Sequence, residues 1–263
     1  MTNEGQFAGR VALVTGGGSG IGKATAIELG RQGAAVAVLS RQQARIDEAC
    51  AEVIAAGGQA LGISADVTSE TEVKEAVARI EREWGRLDLV VANAGANGVF
   101  APLEELTLAE WHHTMETNLT STFLTVQASL PLLKRRGGAI VVVSSVNGSR
   151  NFNYPGAVAY STSKAGQVAF TKMVAIELAQ HKIRINVVCP GAIRTNIGEA
   201  THPRNIEQIR WPVEFPQGAS PLAGGPADPA QVGRVISFLL SDAADHVSGT
   251  EMWVDAAESL LVG

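Results

Sequence analysis

Tyr160 and Lys164 stand four apart in the run Tyr160-Ser161-Thr162-Ser163-Lys164, where a helix is expected to begin, so the spacing sets both on one helix face. An ammonium beside a phenol favours the phenolate and lowers its pKa. Bringing a tyrosine from about 10 to near 7 takes roughly 4 kcal/mol. A phenol tuned in that way can exchange a proton with a substrate oxygen near neutral pH. Taken alone, the pair equally describes a surface helix with one aromatic and one solvated lysine. Four further signals fall at the ends of apolar runs or close to them. Ser144-Ser145 closes the run 139–143, Asn93-Ala94-Gly95 closes 87–92, and Pro190-Gly191, with Thr195 just beyond, closes 183–188. Asn118 lies inside a helical segment, where an amide is a poor helix former without a tertiary partner. Singly these read as turn hydroxyls, a solvated amide and punctuation; their order and placement gather them at one edge of a sheet.

A second constellation precedes them. Thr15-Gly16-Gly17-Gly18-Ser19-Gly20-Ile21-Gly22 joins an apolar run to a helical pattern and then to another apolar run, within about 30 residues. Glycines let the backbone turn tightly and approach a pyrophosphate, while the helix start supplies N–H donors and positive potential. A dinucleotide is therefore expected on Gly16, Ser19, Gly20, Ile21 and Gly22. A carboxylate after the second strand would hold the 2′-hydroxyl of NAD. This chain has Leu39-Ser40-Arg41 there instead. Ser40 and Arg41 can hold a 2′-phosphate by a hydrogen bond and a charge-assisted pair, which favours NADP(H) over NAD(H). Ser40 and Gln43 also have the spacing of a capping box, a purely local role.

The elements that would position these residues are legible as seven short apolar runs at 11–15, 34–39, 60–64, 87–92, 139–143, 183–188 and 252–254. Several are continuously apolar, as in parallel strands covered on both faces, and the intervals are long enough for crossover helices. The expected fold class is α/β: a single domain over 1–263, with a doubly wound parallel seven-stranded sheet and helices on both faces. Ser69-x-x-Glu72 and Thr107-x-x-Glu110 read as capping boxes, and Asp228-Pro229 as a cap followed by a first-turn proline. One interval breaks the rhythm: 192–227 carries Pro203, Pro212, Pro216, Pro221 and Pro226, sits at the carboxyl edge of the sheet, and is expected to be a substrate lid.

Composition narrows the function classes. The 263 residues include 21 basic and 26 acidic side chains, a formal net charge of −5, and 46% apolar residues. No basic stripe exists to neutralise nucleic-acid phosphates, and no apolar run approaches the roughly 18 residues of a membrane helix. The polar start Met1-Thr2-Asn3-Glu4-Gly5-Gln6 lacks the features of a signal peptide, so a cytoplasmic protein is expected. Cys50 and Cys189 lie far apart and read as reduced thiols. His112-His113, His181, His202 and His246 show no ligand spacing, so no metal is expected.

On these residues the chain resembles the classical short-chain dehydrogenase/reductase (SDR) family, from about Gly9 to Asp255. The likeness is carried by the glycine loop, Asp66-Val67, Asn93-Ala94-Gly95, Asn118, Ser145, Tyr160, Lys164 and Pro190-Gly191. It implies a Rossmann fold that transfers hydride reversibly between a nicotinamide coenzyme and a ketone or secondary alcohol. In that family pattern Tyr160 is the general acid/base, and Lys164 binds the nicotinamide ribose and tunes Tyr160. Ser145 holds the substrate oxygen, and Asn118 holds a water that connects Lys164 to solvent. Asp66 and Val67 would contact adenine. Asn93, Ala94 and Gly95 support the sheet near the coenzyme, and Pro190, Gly191, Ile193 and Thr195 lie at the nicotinamide end. The resemblance also implies a homotetramer built through the helices bearing Asn118 and Tyr160, with the apolar tail Leu260-Leu261-Val262 covered by a neighbour.

Three departures from the pattern stand out. The interval from Ser145 to Tyr160 is a residue or two long, Asp255 is followed by Ala256-Ala257 rather than two glycines, and Ser19 stands where many NADP-preferring members carry a basic residue. A small-molecule carbonyl or alcohol is the expected partner: a 3-oxoacyl thioester, a sugar or a ring ketone. Its pocket would draw on 146–155, including Phe152 and Tyr154, and on His202, Trp211 and Phe215. Two other classes compete. A non-catalytic dinucleotide sensor would be expected to lack Ser145, Tyr160 or Lys164, and a methyltransferase on a related scaffold would leave the tyrosine–lysine pair unexplained.

Overall fold

Seven strands pair in parallel in the order β3-β2-β1-β4-β6-β7-β9. The computed structural model describes residues 5–152, 154–209, 221, 222 and 224–261. In chain order the strands are β1 (Val11–Thr15), β2 (Ala35–Ser40), β3 (Gln59–Ser64), β4 (Leu89–Ala92), β5 (Gly98–Phe100), β6 (Gly138–Val143), β7 (Ile183–Pro190), β8 (Thr201–Pro203) and β9 (Glu251–Val254). The helices are α1 (Gly20–Arg31), α2 (Gln43–Ala55), α3 (Glu70–Trp84), α4 (Leu108–Met115), α5 (Ser121–Leu133), α6 (Val158–Ala179), α7 (Pro229–Leu240) and α8 (Glu258–Leu261). Each of the seven expected strands is present, with ends shifted by at most two residues.

The continuous apolarity of the central strands has the cause anticipated for it. Successive residues of β1 point to opposite sides: Val11 and Leu13 pack with Val77 and Ile80 of α3 and Leu178 of α6. Ala12 and Val14 pack with Leu29 of α1, Ile46 of α2 and Ile236 of α7. Both faces are thus buried, which a half-solvated, alternating strand could not tolerate. Strand order reverses between β2-β1 and β4-β6, leaving a crevice above β1 and β4, the switch point at which open α/β sheets bind ligands. Among the described residues no helix is long and apolar enough to cross a membrane.

Two of the cap readings hold in full. Thr107 with Glu110, and Asp228 with Gln231, form reciprocal capping boxes, and Pro229 opens α7. The Ser69 box is only half made: Ser69 accepts from the Glu72 N–H, but the Glu72 carboxylate accepts from the Asp66 N–H at 2.8 Å. Ser40 caps nothing. Helix α2 starts at Gln43 behind Gln42, with no side-chain cap, which leaves the Ser40 hydroxyl free of that local role.

A feature without a sequence signature is the small parallel pair of β5 and β8. Three-residue strands reading Gly-Val-Phe and Thr-His-Pro carry no period. The pair ties the stretch after β4 to the proline-rich interval, reinforced by Asn97 Nδ2 donating to Thr201 Oγ1 at 2.7 Å and by Arg204 gripping Glu110. The base of that interval is closed on itself: Ala227 N–H donates to Ala192 O and Arg194 N–H to Ala227 O, each at 2.9 Å. Pro212, Pro216, Trp211 and Phe215 lie outside the described residues.

After β9 the alanine pair does what glycines would do. Ala256 and Ala257 hold φ of +51° and +68°, a region in which a Cβ meets the following carbonyl. Asp255 supports the turn, accepting from the N–H groups of Ala257 and Ser259. The double replacement of Ala256 and Ala257 by glycine is expected to stabilise the fold. About 1–2 kcal/mol of strain is released per residue, against roughly 0.4–1 kcal/mol of added unfolded-chain entropy. The midpoint in thermal denaturation should rise by a few degrees, and a fall would show that the turn is not strained.

Candidate active site

At the floor of the crevice, Thr15 and Asn93 lock the ends of β1 and β4 together. Asn93 N–H donates to Thr15 Oγ1 at 3.0 Å, and Asn93 Nδ2 to Thr15 O at 2.9 Å. Gly22 packs directly beneath. A Cβ there would lie 2.4 Å from Gly16 O and 2.5 Å from Asn93 Nδ2, so this glycine is demanded by close packing. Gly16 and Gly20 turn the chain with φ of +63° and +53°. Ser19, at the cap of α1, makes no side-chain hydrogen bond to the helix, so the first-turn N–H groups face the crevice.

A cavity of about 410 Å³ opens over this loop. Gly16, Ser19, Gly20 and Ile21 form its floor, Ser40 and Arg41 one end, and Asp66 and Val67 the side; Asn93, Ala94, Gly95 and Thr195 continue the wall. The donor-rich helix start, the tight glycine floor and the cation at the β2 end fit a dinucleotide phosphate backbone. Asp66 Oδ1 accepts from both Thr68 N–H and Thr68 Oγ1, which with the nearby Arg41 charge keeps its carboxyl below the usual range. Sequence reasoning missed Arg45 and Glu199, which form an ion pair at 3.2 Å across the mouth. Partners 154 residues apart leave no local signal.

A second cavity, about 250 Å³, adjoins the first through Ile21, Asn93, Gly95, Thr195 and Ile197. Its walls include Ser145, Tyr160 and Lys164, with Pro190, Gly191 and Ile193 opposite. Tyr160 and Lys164 come from the first turns of α6, and Ser145 from the end of β6. Ser144 and Ser145 both line the cavity and are both buried, but their bonds differ: Ser144 Oγ donates to Lys164 O at 2.8 Å, whereas the Ser145 hydroxyl is bonded to Tyr160. Asn147, unremarked in the sequence, bonds Ser145 Oγ through its N–H at 3.2 Å.

Burial pushes the Tyr160 phenol up; the bond to Ser145 only moderates this, and Lys164 does not offset it. The Lys164 ammonium donates to Val143 O at 3.0 Å and lies 5.8 Å from the centre of the Tyr160 ring. Burial lowers its own pKa from 10.5 to about 8. Lysine and tyrosine thus share a wall, yet the lysine charge by itself does not make a phenolate.

Asn118 sits at the centre of a one-turn π-helix (Glu116–Thr120), the kind of helical irregularity common at functional sites. Its Oδ1 accepts from Ala96 N–H at 2.8 Å, and its Nδ2 donates to Ala96 O and Ser163 Oγ, both at 2.9 Å. The side chain therefore braces the turn after β4 against α6. Gln167, one turn beyond Lys164, donates to the Asn118 carbonyl at 2.8 Å. Phe152 is 69% exposed and His202 is also exposed, so neither walls this cavity, whereas Tyr154 does. The cavity also contains Glu258, from α8, which nothing in the sequence distinguishes from an exposed tail residue. Among the described residues no cluster of three or more His, Cys, Asp or Glu could hold a metal.

A switch-point crevice with a glycine floor and a Ser-Tyr-Lys wall defines a nucleotide-dependent oxidoreductase class, and comparison with known proteins names the family. The family model described as short chain dehydrogenase matches residues 10–205, and the chain belongs to that family. A solved structure titled 3-ketoacyl-ACP reductase, from Sinorhizobium meliloti 1021, is 47% identical, with a TM-score of 0.91 over 95% of this chain and 99% of that one. The 3beta-hydroxysteroid dehydrogenase of Mediterraneibacter gnavus is 35% identical over 94% of this chain and 93% of its own length. Cyclopentanol dehydrogenase of Comamonas testosteroni is 37% identical over 94% and 95%. The protein is a short-chain dehydrogenase-type oxidoreductase.

The buried lysine has a measurable signature. The folded chain releases this proton near pH 8 and the unfolded chain near 10.5, so the unfolded state holds more protons between those values. Stability from this group therefore rises with pH across that window, by on the order of 3 kcal/mol. Replacing Lys164 with Met removes the rise. The melting temperature of the variant minus that of the wild type should fall by several degrees from pH 7 to 10, and a constant difference would show that Lys164 is not desolvated.

Proposed function

We propose that the protein interconverts a ketone and a secondary alcohol with a nicotinamide dinucleotide, Tyr160 acting as general acid and base. The observation that carries this reading is the shared wall of Ser145, Tyr160 and Lys164 beside the glycine-floored cavity. When bound, the coenzyme supplies the hydride acceptor or donor. The chain supplies position and proton transfer. Ser145 and Tyr160 direct two hydroxyls at one substrate oxygen, so charge developing there meets donors already in place. In reduction the Tyr160 O–H gives its proton to that oxygen; in oxidation the phenolate takes it back.

Because burial keeps the phenol protonated, the site as it stands is prepared for reduction. Oxidation requires additional positive charge near the phenol, to which the Lys164 ammonium, present below about pH 8, contributes once its hold on Val143 O is shared with a ligand. Asn118 acts as a positioning residue through the turn it braces. The sensor reading loses ground because all three groups face one cavity, and a methyltransferase would have no use for them. Exposed Phe123 on α5, with Met173 and Ile176 on α6, gives these helices an apolar face suited to a second copy, in line with a tetramer.

Arg41 supports NADP(H): it stands at the β2 end of the cavity with no carboxylate following Ser40, and Ser40 is not a helix cap. Two measurements test the scheme. Tyr160→Phe should bind coenzyme with an affinity close to wild type, by fluorescence titration, and lose turnover by about a thousandfold, within the usual range for a positioned acid. Wild-type-like turnover would eliminate Tyr160 as the acid. Arg41→Ala should raise KM for NADPH by about tenfold while changing that for NADH little, the loss of one exposed charge-assisted phosphate contact. Equal effects on both coenzymes would remove Arg41 from the 2′-phosphate site.

A further inference from the structure

Glu258 is a carboxylate where an apolar wall would suffice. It is 3% exposed, yet it lines the same 250 Å³ cavity as Ser145, Tyr160 and Lys164. Its Oε2 accepts from the Ala192 N–H at 2.8 Å, and no ion pair answers its charge among the described residues. Arg150, which reaches the same tail, lies over the Trp253 ring at 3.6 Å and donates to Ser259 Oγ instead. Burying a carboxyl away from any cation is costly, and burial pushes its pKa up. The backbone that delivers it is strained as well, by the two left-handed alanines immediately before it. A strained turn that brings a buried carboxyl into a ligand cavity is retained where that carboxyl serves a ligand.

Resting on the dehydrogenase reading above, we infer that Glu258 is a specificity-determining residue whose carboxylate accepts a hydrogen bond from a second hydroxyl of the substrate, next to the carbon that reacts. Proximity supports the adjacent position. Tyr154, Tyr160 and Glu258 all line this cavity, so the three stand around one small space. That space is at the lower end for ligand pockets, about 300 Å³ and upward, and admits a compact polar substrate more readily than a long one. Two parts of the lining then read two oxygens: Ser145 and Tyr160 the one that changes oxidation state, Glu258 the one that does not. The favoured substrates are vicinal diols and the corresponding α-hydroxyketones.

The test pairs monofunctional alcohols with their vicinal diols, cyclohexanol with cis-cyclohexane-1,2-diol and 2-butanol with butane-2,3-diol, in the full-length enzyme with both coenzymes. Wild type should favour the diol in kcat/KM by about tenfold, the usual worth of one hydrogen bond to a charged group. Glu258→Ala should erase that preference, chiefly through the KM of the diol, and Glu258→Gln, which keeps an acceptor oxygen, should restore part of it. An equal loss on both members of a pair would make Glu258 only a brace for Ala192, and would overturn the inference. So would a wild type indifferent to the second hydroxyl, a result that needs no folded variant. Turnover of no pair with either coenzyme would overturn the dehydrogenase reading first and this inference with it.

Discussion

The structure depends on the junction where β1 and β4 part company. Where the order of a parallel sheet reverses, the connections leave to opposite faces and open a crevice above the two paired strands, whose last backbone groups still have to be partnered. Thr15 and Asn93 provide the closure, through a hydroxyl and an amide that bond across the gap. With the floor secured, Gly16 and Gly22 can pack against it without side chains, and the start of α1 is left aimed into the opening. The cavities on either side inherit their geometry from that closure.

A second constraint is dryness. Lys164, Tyr160, Ser145 and Asn118 are all nearly removed from solvent, and each polar atom is answered by a specific partner: Val143 O for the ammonium, Ser145 for the phenol, Ala96 and Ser163 for the amide. Burial moves the lysine and the tyrosine in the directions that favour their neutral forms. Below about pH 8 the resting site still holds the Lys164 ammonium, beside a protonated phenol.

Much of this was legible beforehand, for identifiable reasons. Buried parallel strands announce themselves as unbroken apolar runs, the glycine loop has a spacing set by sterics, and a tyrosine and lysine four apart share a helix face. The two serines after β6 part company in their bonds, Ser144 reaching the Lys164 carbonyl and Ser145 the Tyr160 hydroxyl, as alternation along a strand leads one to expect. What escaped notice was long-range or aperiodic. Neither the β5–β8 pair nor the Arg45–Glu199 bridge has a local pattern, and Glu258 reaches the cavity only because a strained turn folds the tail back. Where the Lys164 ammonium finds its acceptor was not legible either, because sequence spacing gives adjacency on a helix face and nothing more.

The backbone clasp between Ala192, Arg194 and Ala227 has an evolutionary implication. It joins the chain leaving β7 to the chain entering α7, so insertions or deletions between them need not disturb either element, and lengthening such a stretch twofold adds only about 0.6 kcal/mol of closure entropy. A chassis built this way can exchange one module at its rim while conserving everything beneath it, and new catalytic repertoires can arise by cassette replacement instead of redesign.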